Sequence, residues 1–298
     1  MDRWYKAAKA LEAENEGYVL ATVVRAVAPT SAKPGDKAVV TEEGVVQGWI
    51  GGSCAEPTVK REAKLALADG ACRVVQITPD PVTSGRDGHV VVPMTCYSGG
   101  ELEIYLEPHP AKAELLVFGN SPVAQSLIEL GVFAGYRVTV VDTTERPPLE
   151  GAVVVDDLGG ATLKRPERAA IVIATHGVFD EDAIARAAEL EPRYLGVVAS
   201  PRRFTSLAGS MKRRGLSAEA WSRVDGPAGL DIGARTPQEI AISILASITA
   251  AREGISVTTK RPDSAPTTRE APSVEQADQP DVAVEATGTE GKSPCCHD

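Results

Sequence analysis

The chain has 298 residues, of which 43% are apolar and 24% are charged, so two domains with largely aliphatic cores are expected. Its formal net charge of −10 argues against nucleic acid as the main partner, because basic surfaces bind phosphate backbones. The sequence shows no apolar run of membrane-spanning length and no signal peptide, and five cysteines are too few for a disulfide framework. We therefore predict a protein without a membrane span, in a reducing, cytoplasmic location.

Residues 1–108 are predicted to form an α+β domain with a mostly antiparallel sheet. The β-branched run at 18–28 is typical of a buried strand, and a turn at Glu43-Gly44 leads into a hairpin partner. Cys72 is expected inside a strand, as a small buried residue. The other predicted elements are helices at 3–15 and 56–69 and strands at 45–50, 72–77, 89–94 and 101–107.

Residues 112–255 are predicted to form a Rossmann-like domain. The segment 114–142 has the pattern of a strand, a tight turn, a helix and a second strand that ends in an acid. Two further apolar strands, AAIVIATHG and RYLGVVAS, are separated by a helix at 180–190. Strands that are apolar throughout are typical of parallel sheets buried on both faces, and right-handed crossovers then give a doubly wound sheet.

The C-terminal part contains a well-marked helix followed by a segment of different composition. The helix at 237–252 begins with a capping box, in which Thr236 is the N-cap and Glu239 the third residue. Residues 256–298 contain no Phe, Trp, Tyr or Leu and are predicted to be a disordered tail, since they cannot bury enough apolar surface. The tail ends in Cys295, Cys296 and His297, which either bind a soft ion such as Cu(I) or are incidental.

The turn GNSPVA, residues 119–124, stands where a dinucleotide-binding fingerprint belongs. Gly119 provides the tight turn, and Asp142 follows at the spacing of a carboxylate that binds ribose. However, Ser121 replaces the second glycine, and Pro122 removes an N–H donor at the start of the helix. One interpretation is an NAD(P)-dependent oxidoreductase; the other, which disfavours NAD(P), is a Rossmann-shaped domain whose turn no longer holds the dinucleotide.

Polar residues also follow the later strands of this domain. Ligands of doubly wound sheets lie at the carboxyl ends of the strands, where His176, Ser200 and Arg203 could line one pocket. Asp231 and Arg235, in the segment before the capped helix, are candidates for a further wall. The alternative is that the histidine and the 231–235 loop are structural and that the arginine is solvated surface.

Two glycine-flanked cysteines are the chemical candidates of the first domain. Gly51 and Gly52 deliver Cys54 to the positive end of a helix, where the thiolate form is favoured. The stretch CYSGG places Cys96 beside Gly99 and Gly100, and the two loops could converge on one ligand. The alternatives are that both cysteines are small buried residues or form a transient disulfide; standard zinc spacing is absent.

Six motifs together resemble the XdhC/CoxI family of accessory proteins for xanthine dehydrogenase and carbon monoxide dehydrogenase. The motifs are GWIGGSCAE, CYSGGELEIYLEP, LLVFGNSPVAQSL, ATHGVFDEDA, YLGVVASPRR and GLDIGARTPQEIAISILASI. They fall in the family's order over residues 15–252. Ser53, the longer CYSGG loop and GNSP resemble the carbon monoxide dehydrogenase branch.

The resemblance implies a maturation role. Family members bind and protect the molybdenum cofactor, either molybdopterin or its cytosine dinucleotide form. They support its sulfuration with a cysteine desulfurase and deliver it to an apo molybdenum hydroxylase. By this resemblance Cys54 is the cofactor-binding cysteine, as a sulfur carrier or, with Cys96, as a molybdenum ligand.

We therefore expect an accessory chaperone with no stand-alone turnover, and a homodimer is among the expected assemblies. The alternatives are the NAD(P)-dependent oxidoreductase suggested by Gly119 and Asp142, and a copper- or redox-handling protein suggested by the tail. Phosphate suits helix N-termini and arginines, and a soft thiolate suits a metal or a transferred sulfur.

Overall fold

A computed structural model of the chain describes residues 3–44, 46–52, 55–80, 87–94, 99–142, 150–255 and 257. The described residues belong to one compact unit that contains two six-stranded sheets. The predicted tail at 256–298, with its metal-binding candidates Cys295, Cys296 and His297, lies outside the described residues except for Val257. Among the described residues, no helix combines the length and the apolar character needed to cross a bilayer.

The first sheet is mostly antiparallel, as predicted. Its strand order is β3-β2-β1-β6-β4-β5, and the parallel β4–β5 pair is its exception. The second helix packs its alanine-rich face on the alternating inward residues of β1 and β6. The elements are α1 Arg3–Glu14, β1 Tyr18–Val27, β2 Lys37–Thr41, β3 Val46–Gly48, α2 Ala55–Asp69, β4 Arg73–Thr78, β5 His89–Pro93 and β6 Glu101–His109.

The expectation for Cys72 is wrong. The residue is exposed and precedes β4, whose pairing with β6 begins only at Arg73 opposite Leu106. The residues that line the core on this strand are Val75 and Ile77, which alternate toward α2. Cys72 instead contacts Tyr105, and their hydrogen bond raises the pKa of the Tyr105 hydroxyl. The predicted strand thus began one residue too early, at Cys72 instead of Arg73.

The second sheet is a doubly wound parallel sheet, which confirms the predicted fold class. Its order is β12-β11-β10-β7-β8-β9, and every pair is parallel. Helices α3 and α7 cover one face and α4 and α5 the other, which is why the central strands are apolar throughout. The elements are β7 Glu114–Phe118, α3 Pro122–Phe133, β8 Arg137–Val141, β9 Ala152–Val155, β10 Ala170–Ile173, α4 Asp180–Glu189, β11 Tyr194–Val197, α5 Pro201–Arg213, α6 Ala218–Ser222, β12 Val224–Asp225 and α7 Pro237–Glu253.

The start of α7 is the predicted capping box. The Thr236 hydroxyl accepts from the Glu239 N–H at 3.2 Å, and the Glu239 carboxylate accepts from the Thr236 N–H at 3.0 Å. The hydrogen bonds that the carboxylate accepts from the backbone N–H groups of Thr236 and Arg235 lower the pKa of the Glu239 carboxyl. The helix ends at Gly254 in the left-handed conformation.

The contacts between the two sheets fix which ends face each other. Asn15, directly after α1, exchanges two hydrogen bonds with the backbone of Lys112, at 2.9 and 3.0 Å. The Arg165 guanidinium, before β10, binds both carboxylate oxygens of Glu42 at 2.9 and 3.2 Å. The Arg137 side chain, at the start of β8, donates to the carbonyl of Ala13. The amino-terminal edge of the second sheet therefore faces the end of the first sheet where β1 begins.

Candidate functional site

The second sheet has a topological switch point between β7 and β10. From β7 the chain winds through α3 to β8 on one side, whereas β10 continues through α4 to β11 on the other. Crossovers that diverge in this way leave a crevice at the carboxyl ends of the strands, where ligands of such sheets bind. Two adjoining cavities occupy this position, of about 360 Å³ and about 430 Å³, and His176 borders both. We call them together the crevice.

Most of the predicted residues of this domain lie in the crevice. Gly119, Ser121, Asp142 and His176 line the first cavity. Ser200 and Arg203 line the second cavity with His176. The predicted grouping of His176, Ser200 and Arg203 around one pocket is thus what the geometry shows, while their function stays a prediction.

Gly119 is required by close packing as much as by the turn. Its φ is +95°, and a Cβ at this position would lie 2.5 Å from the Cα of Thr175. No side chain fits there unless the backbone after β10 moves. Gly119 therefore lets the loops after β7 and β10 meet at the floor of the first cavity.

Ser121 and Ser200 have the same local role, which the sequence interpretation missed. Each is the N-cap of a helix whose first residue is proline, and each hydroxyl accepts from the backbone three residues ahead, Ser121 from Ala124 at 3.2 Å and Ser200 from Arg203 at 3.3 Å. Ser121 was interpreted as a departure from the dinucleotide fingerprint. The structure supplies its reason: the hydroxyl caps α3 and satisfies an N–H that a pyrophosphate would otherwise use.

Asp142 is positioned by a residue that was not singled out. Its side chain is almost fully buried, and its carboxylate accepts from the Asn120 side-chain amide at 2.9 Å. Its backbone N–H donates to Val155 in the neighbouring strand. The place of Asn120 between Gly119 and Ser121, at the tip of β7, was the available signal.

Arg203 is held by a buried acid, Asp180, that sequence reasoning also missed. Its Nη2 and Nε lie 2.6 and 2.8 Å from Asp180 Oδ2, and the Thr175 hydroxyl donates to the other oxygen. The carboxylate is 6% exposed, so the guanidinium compensates a buried charge. The guanidinium packs over Gly177, where a Cβ would lie 2.8 Å from Nη2.

His176 adopts a left-handed backbone with φ of +57°. This conformation is uncommon for a residue with a side chain, although histidine is among the types enriched in it. The following turn is fixed by the Gly177 N–H, which donates to the Thr175 hydroxyl at 3.2 Å. The imidazole is thereby exposed between the two cavities. The cost of such a backbone is of order 1–3 kcal/mol, which favours a functional reason for its presence.

Asp231 and Arg235 are not brought to the crevice cavities. Both are exposed in the segment between β12 and α7, and neither borders the two volumes described. The Arg235 backbone N–H instead donates to Glu239 at 2.8 Å, as part of the start of α7. The predicted further wall is therefore absent from these two cavities.

The glycine pairs of the first sheet meet at one end of that sheet. The register places the last residue of β1 opposite the first of β6, and β5 ends beside the end of β4. The loops that follow β1, β3 and β5 therefore share an end. We call this region, residues 49–52 with 99–100 and Pro29, the glycine-loop end.

Close contacts hold the two pairs there. A Cβ on Gly100 would lie 2.2 Å from the carbonyl oxygen of Pro29, and one on Gly51, whose φ is +117°, would lie 3.2 Å from the Leu102 side chain. Gly52 has open space around it, and its carbonyl accepts from the Ala55 N–H at the start of α2. Gly99, with φ of +69°, is exposed.

The cysteines themselves, Cys54 and Cys96, lie outside the described residues. The residues that flank them are described on both sides and lie at the same end of the first sheet. The convergence of the two loops on one ligand stays a prediction. Among the described residues, no group of three or more His, Cys, Asp or Glu side chains forms a metal-binding cluster. The predicted molybdenum ligands are therefore neither placed nor contradicted.

Two parts of the chain match models of known protein families. Residues 11–78 match the XdhC and CoxI family, and residues 115–248 match the XdhC Rossmann domain. The uncharacterized protein YqeB of Escherichia coli K12 is 28% identical over 258 residues, which cover 83% of this chain and 46% of YqeB. The chain thus spans about half the length of that relative.

Two further similarities have lower identity. PaoD of Escherichia coli K12, a molybdenum cofactor insertion chaperone, is 23% identical over 280 residues, covering 80% of this chain and 84% of PaoD. A crystal structure described as a xanthine dehydrogenase from Bacillus halodurans is 19% identical, with a TM-score of 0.42, and covers 85% of this chain and 96% of that one. From the two family matches, which together cover most of the folded chain, the protein belongs to the XdhC and CoxI family.

Proposed function

We propose that this protein is a maturation chaperone that binds the molybdenum cofactor as cargo and delivers it to an apo molybdenum hydroxylase. The observation that carries the proposal is the crevice, where a compensated arginine, an exposed imidazole and a held carboxylate surround a volume of ligand size. The similarity to PaoD over most of the chain supports the same class of cargo. The carbon monoxide dehydrogenase branch remains a prediction from the sequence.

The residues of the crevice suit the phosphate and pterin parts of such a cargo. Arg203 and His176 provide positive charge or hydrogen-bond donors on the side of the second cavity. Asp142 offers carboxylate oxygens to the first cavity, which suit the amino and ring N–H donors of a pterin edge. The positive ends of the α3 and α5 helix dipoles face the same volume and favour an anion there, although the serine caps and first-position prolines leave fewer N–H groups to bind it.

The soft part of the cargo is assigned to the cysteine loops. Molybdenum and dithiolene sulfur favour thiolate chemistry, so Cys54 is proposed to bind the metal or carry sulfur, with Cys96 as second ligand. A cysteine desulfurase is the proposed sulfur source and an apo-hydroxylase the proposed recipient. The cargo is either molybdopterin or its cytosine dinucleotide form. The position of Gly51 and Gly100 at the same end of the first sheet supports this proposal.

An NAD(P)-dependent oxidoreductase remains the second candidate, because Asp142 sits at the end of β8, where a ribose-binding acid belongs. Against it, the Ser121 hydroxyl already occupies the Ala124 N–H and Pro122 has none. Fluorescence titration with NADH and NADPH separates the candidates. Tight binding together with turnover of a carbonyl substrate would establish the oxidoreductase.

The proposal is tested by the pterin content of protein purified from a molybdenum-replete host. We expect the wild type to release pterin in substoichiometric amount and Cys54→Ala to release several-fold less. Cys72→Ala is the matched control, since this cysteine is exposed and distant from both candidate regions. Equal pterin content in Cys54→Ala and wild type would refute the assignment of Cys54 as the cofactor-binding cysteine. A wild-type protein without pterin would refute the proposed function.

A further inference from the structure

The two cavities of the crevice are lined by different chemistry. The first, of about 360 Å³, contains the Asp142 carboxylate and the Asn120 amide. The second, of about 430 Å³, has His176, Ser200 and Arg203 as its polar side chains. Its other walls are apolar and consist of Val123, Val198, Ala199, Pro227, Ala228 and Ile240. Both volumes lie near the lower end of the range of about 300–1,000 Å³ for single-ligand pockets, so two adjoining cavities suit a cargo with two ring systems.

Charge decides where the phosphate of a cargo can lie. The Asp142 carboxylate repels an anion from the first cavity. In the second cavity, Arg203 uses Nε and Nη2 to contact Asp180 Oδ2 at 2.8 and 2.6 Å. Nη1 takes no part in these two contacts, and the side chain is 44% exposed, so this edge of the guanidinium can bind a phosphate oxygen. No further charged side chain of the described residues lines either cavity, apart from His176 on their shared border.

This order leaves most of the second cavity without an occupant if the cargo is molybdopterin. In the proposed function the pterin edge lies at Asp142, and the phosphate reaches His176 and Arg203. Molybdopterin ends at that phosphate, and apolar walls do not stabilise a phosphate. The walls that Val123 and Ile240 contribute instead suit a heterocyclic ring. A nucleoside, joined through a second phosphate, extends the cargo in this direction.

Backbone hydrogen bonds hold the second cavity in shape. The Val198 N–H donates to the carbonyl of Ile173 at 2.8 Å, and the Ala228 N–H donates to the carbonyl of Val197 at 2.9 Å. The loops after β11 and β12 are thereby fixed to the ends of the neighbouring strands. A cavity that is already formed spares a ligand the cost of ordering its walls, which favours binding.

We propose that the crevice selects the dinucleotide form of the cargo. The pterin lies in the first cavity, the diphosphate lies beside His176 and Arg203, and the nucleoside lies between the apolar walls of the second cavity. This inference rests on the proposed function and extends it from a class of cargo to one form of that cargo. Molybdopterin lacks the contacts of the second cavity and therefore binds more weakly.

The composition of the purified cargo tests the proposal. Protein from a molybdenum-replete host is denatured, the diphosphate is hydrolysed, and pterin and nucleoside monophosphate are separated by chromatography. We expect equal amounts of pterin and nucleotide. Pterin without nucleotide would overturn the proposal and leave the proposed function standing. A wild type that releases neither would refute the proposed function and this inference with it.

A substitution in the second cavity shows whether that cavity is occupied. Val123→Phe adds volume there without a change of charge, and we expect a several-fold loss of pterin because the nucleoside no longer fits. Leu130→Phe, about two turns farther along α3 and outside both cavities, is the matched control and should keep wild-type pterin. Wild-type pterin in Val123→Phe would overturn the proposal.

A titration with free ligands does not depend on cargo loading. CDP and GDP carry a nucleoside on a diphosphate, whereas inorganic pyrophosphate carries none. We expect protein from a host without the cofactor to bind one of the nucleotides about tenfold more tightly than pyrophosphate. Val123→Phe should weaken only the nucleotides, whereas the double variant Asp180→Asn with Arg203→Gln should weaken all three ligands. Nucleotides that bind no more tightly than pyrophosphate would overturn the nucleoside subsite.

Discussion

The glycine-loop end and the crevice differ in what shapes them. At the glycine-loop end, Gly100 and Gly51 let backbone segments approach where no side chain fits. In the crevice, side chains set the geometry: the Arg203–Asp180 pair, the Asn120–Asp142 hydrogen bond and two serine caps. Gly119 is the one position described in the crevice where, as at Gly100, the backbone approaches a neighbouring segment too closely for a side chain. The glycine-loop end thus depends on glycines that lack a Cβ, whereas the crevice depends on charged and polar side chains held by hydrogen bonds. Substitutions should therefore damage the two regions differently.

The largest effects should come from adding a methyl group to the packed glycines. In Gly100→Ala and Gly119→Ala the new Cβ meets backbone atoms at 2.2 and 2.5 Å, so we expect losses of about 3 kcal/mol or more in the free energy of unfolding. Chemical denaturation measures this loss. Gly52→Ala is the control and should change stability by less than about 1 kcal/mol, since its Cβ meets no atom. Equal stability of all three variants would show that the two close approaches are not real.

The next effect should come from the buried charge pair of the crevice. Arg203→Ala leaves the Asp180 carboxylate without its partner, and we expect a loss of about 2 kcal/mol, below the range for a fully buried pair because the arginine side chain is 44% exposed. The double variant Asp180→Asn with Arg203→Gln removes both charges and should recover part of that loss. If the double variant is less stable than Arg203→Ala, the penalty does not come from an unpaired charge.

A smaller and parallel effect is expected from the two caps. Ser121→Ala and Ser200→Ala should each lower the free energy of unfolding by about 1 kcal/mol, whereas Ser→Asp at either site should retain most of it, because the carboxylate also accepts from the helix N–H. Thermal unfolding of the four variants provides the measurement. A Ser121→Ala protein that gains NADH binding would support the dinucleotide interpretation.

The alkaline pH dependence of stability should be alike in the two sheets. Burial, with help from Glu12, raises the pKa of Tyr18 in the first sheet, and burial beside Asp225 raises that of Tyr194 in the second. Because the pKa is raised in the folded state, each tyrosine contributes to the free energy of unfolding. That contribution is complete below the ordinary tyrosine pKa of about 10 and is lost as pH rises above it.

The measurement is the free energy of unfolding of wild type, Tyr18→Phe and Tyr194→Phe between neutral and strongly alkaline pH. We expect both variants to show a shallower alkaline loss than the wild type, since each lacks one of the two ionisations. Identical slopes in wild type and variants would show that neither hydroxyl is coupled to folding.

The sequence by itself determined the fold class, the α7 capping box and most of the crevice candidates, because hydrophobic periodicity and cap chemistry act over a few residues. It misjudged Cys72 by one residue and overlooked Asn120 and Asp180, whose importance comes from partners 22 and 23 positions away. Tertiary structure alone decided that Asp231 and Arg235 stay outside the crevice cavities and that the glycine-loop end and the crevice face away from each other. The physical reason is that the distance between residues far apart in the sequence depends on the direction of the strands and on the contacts between the sheets. A local sequence pattern contains no information about either of these.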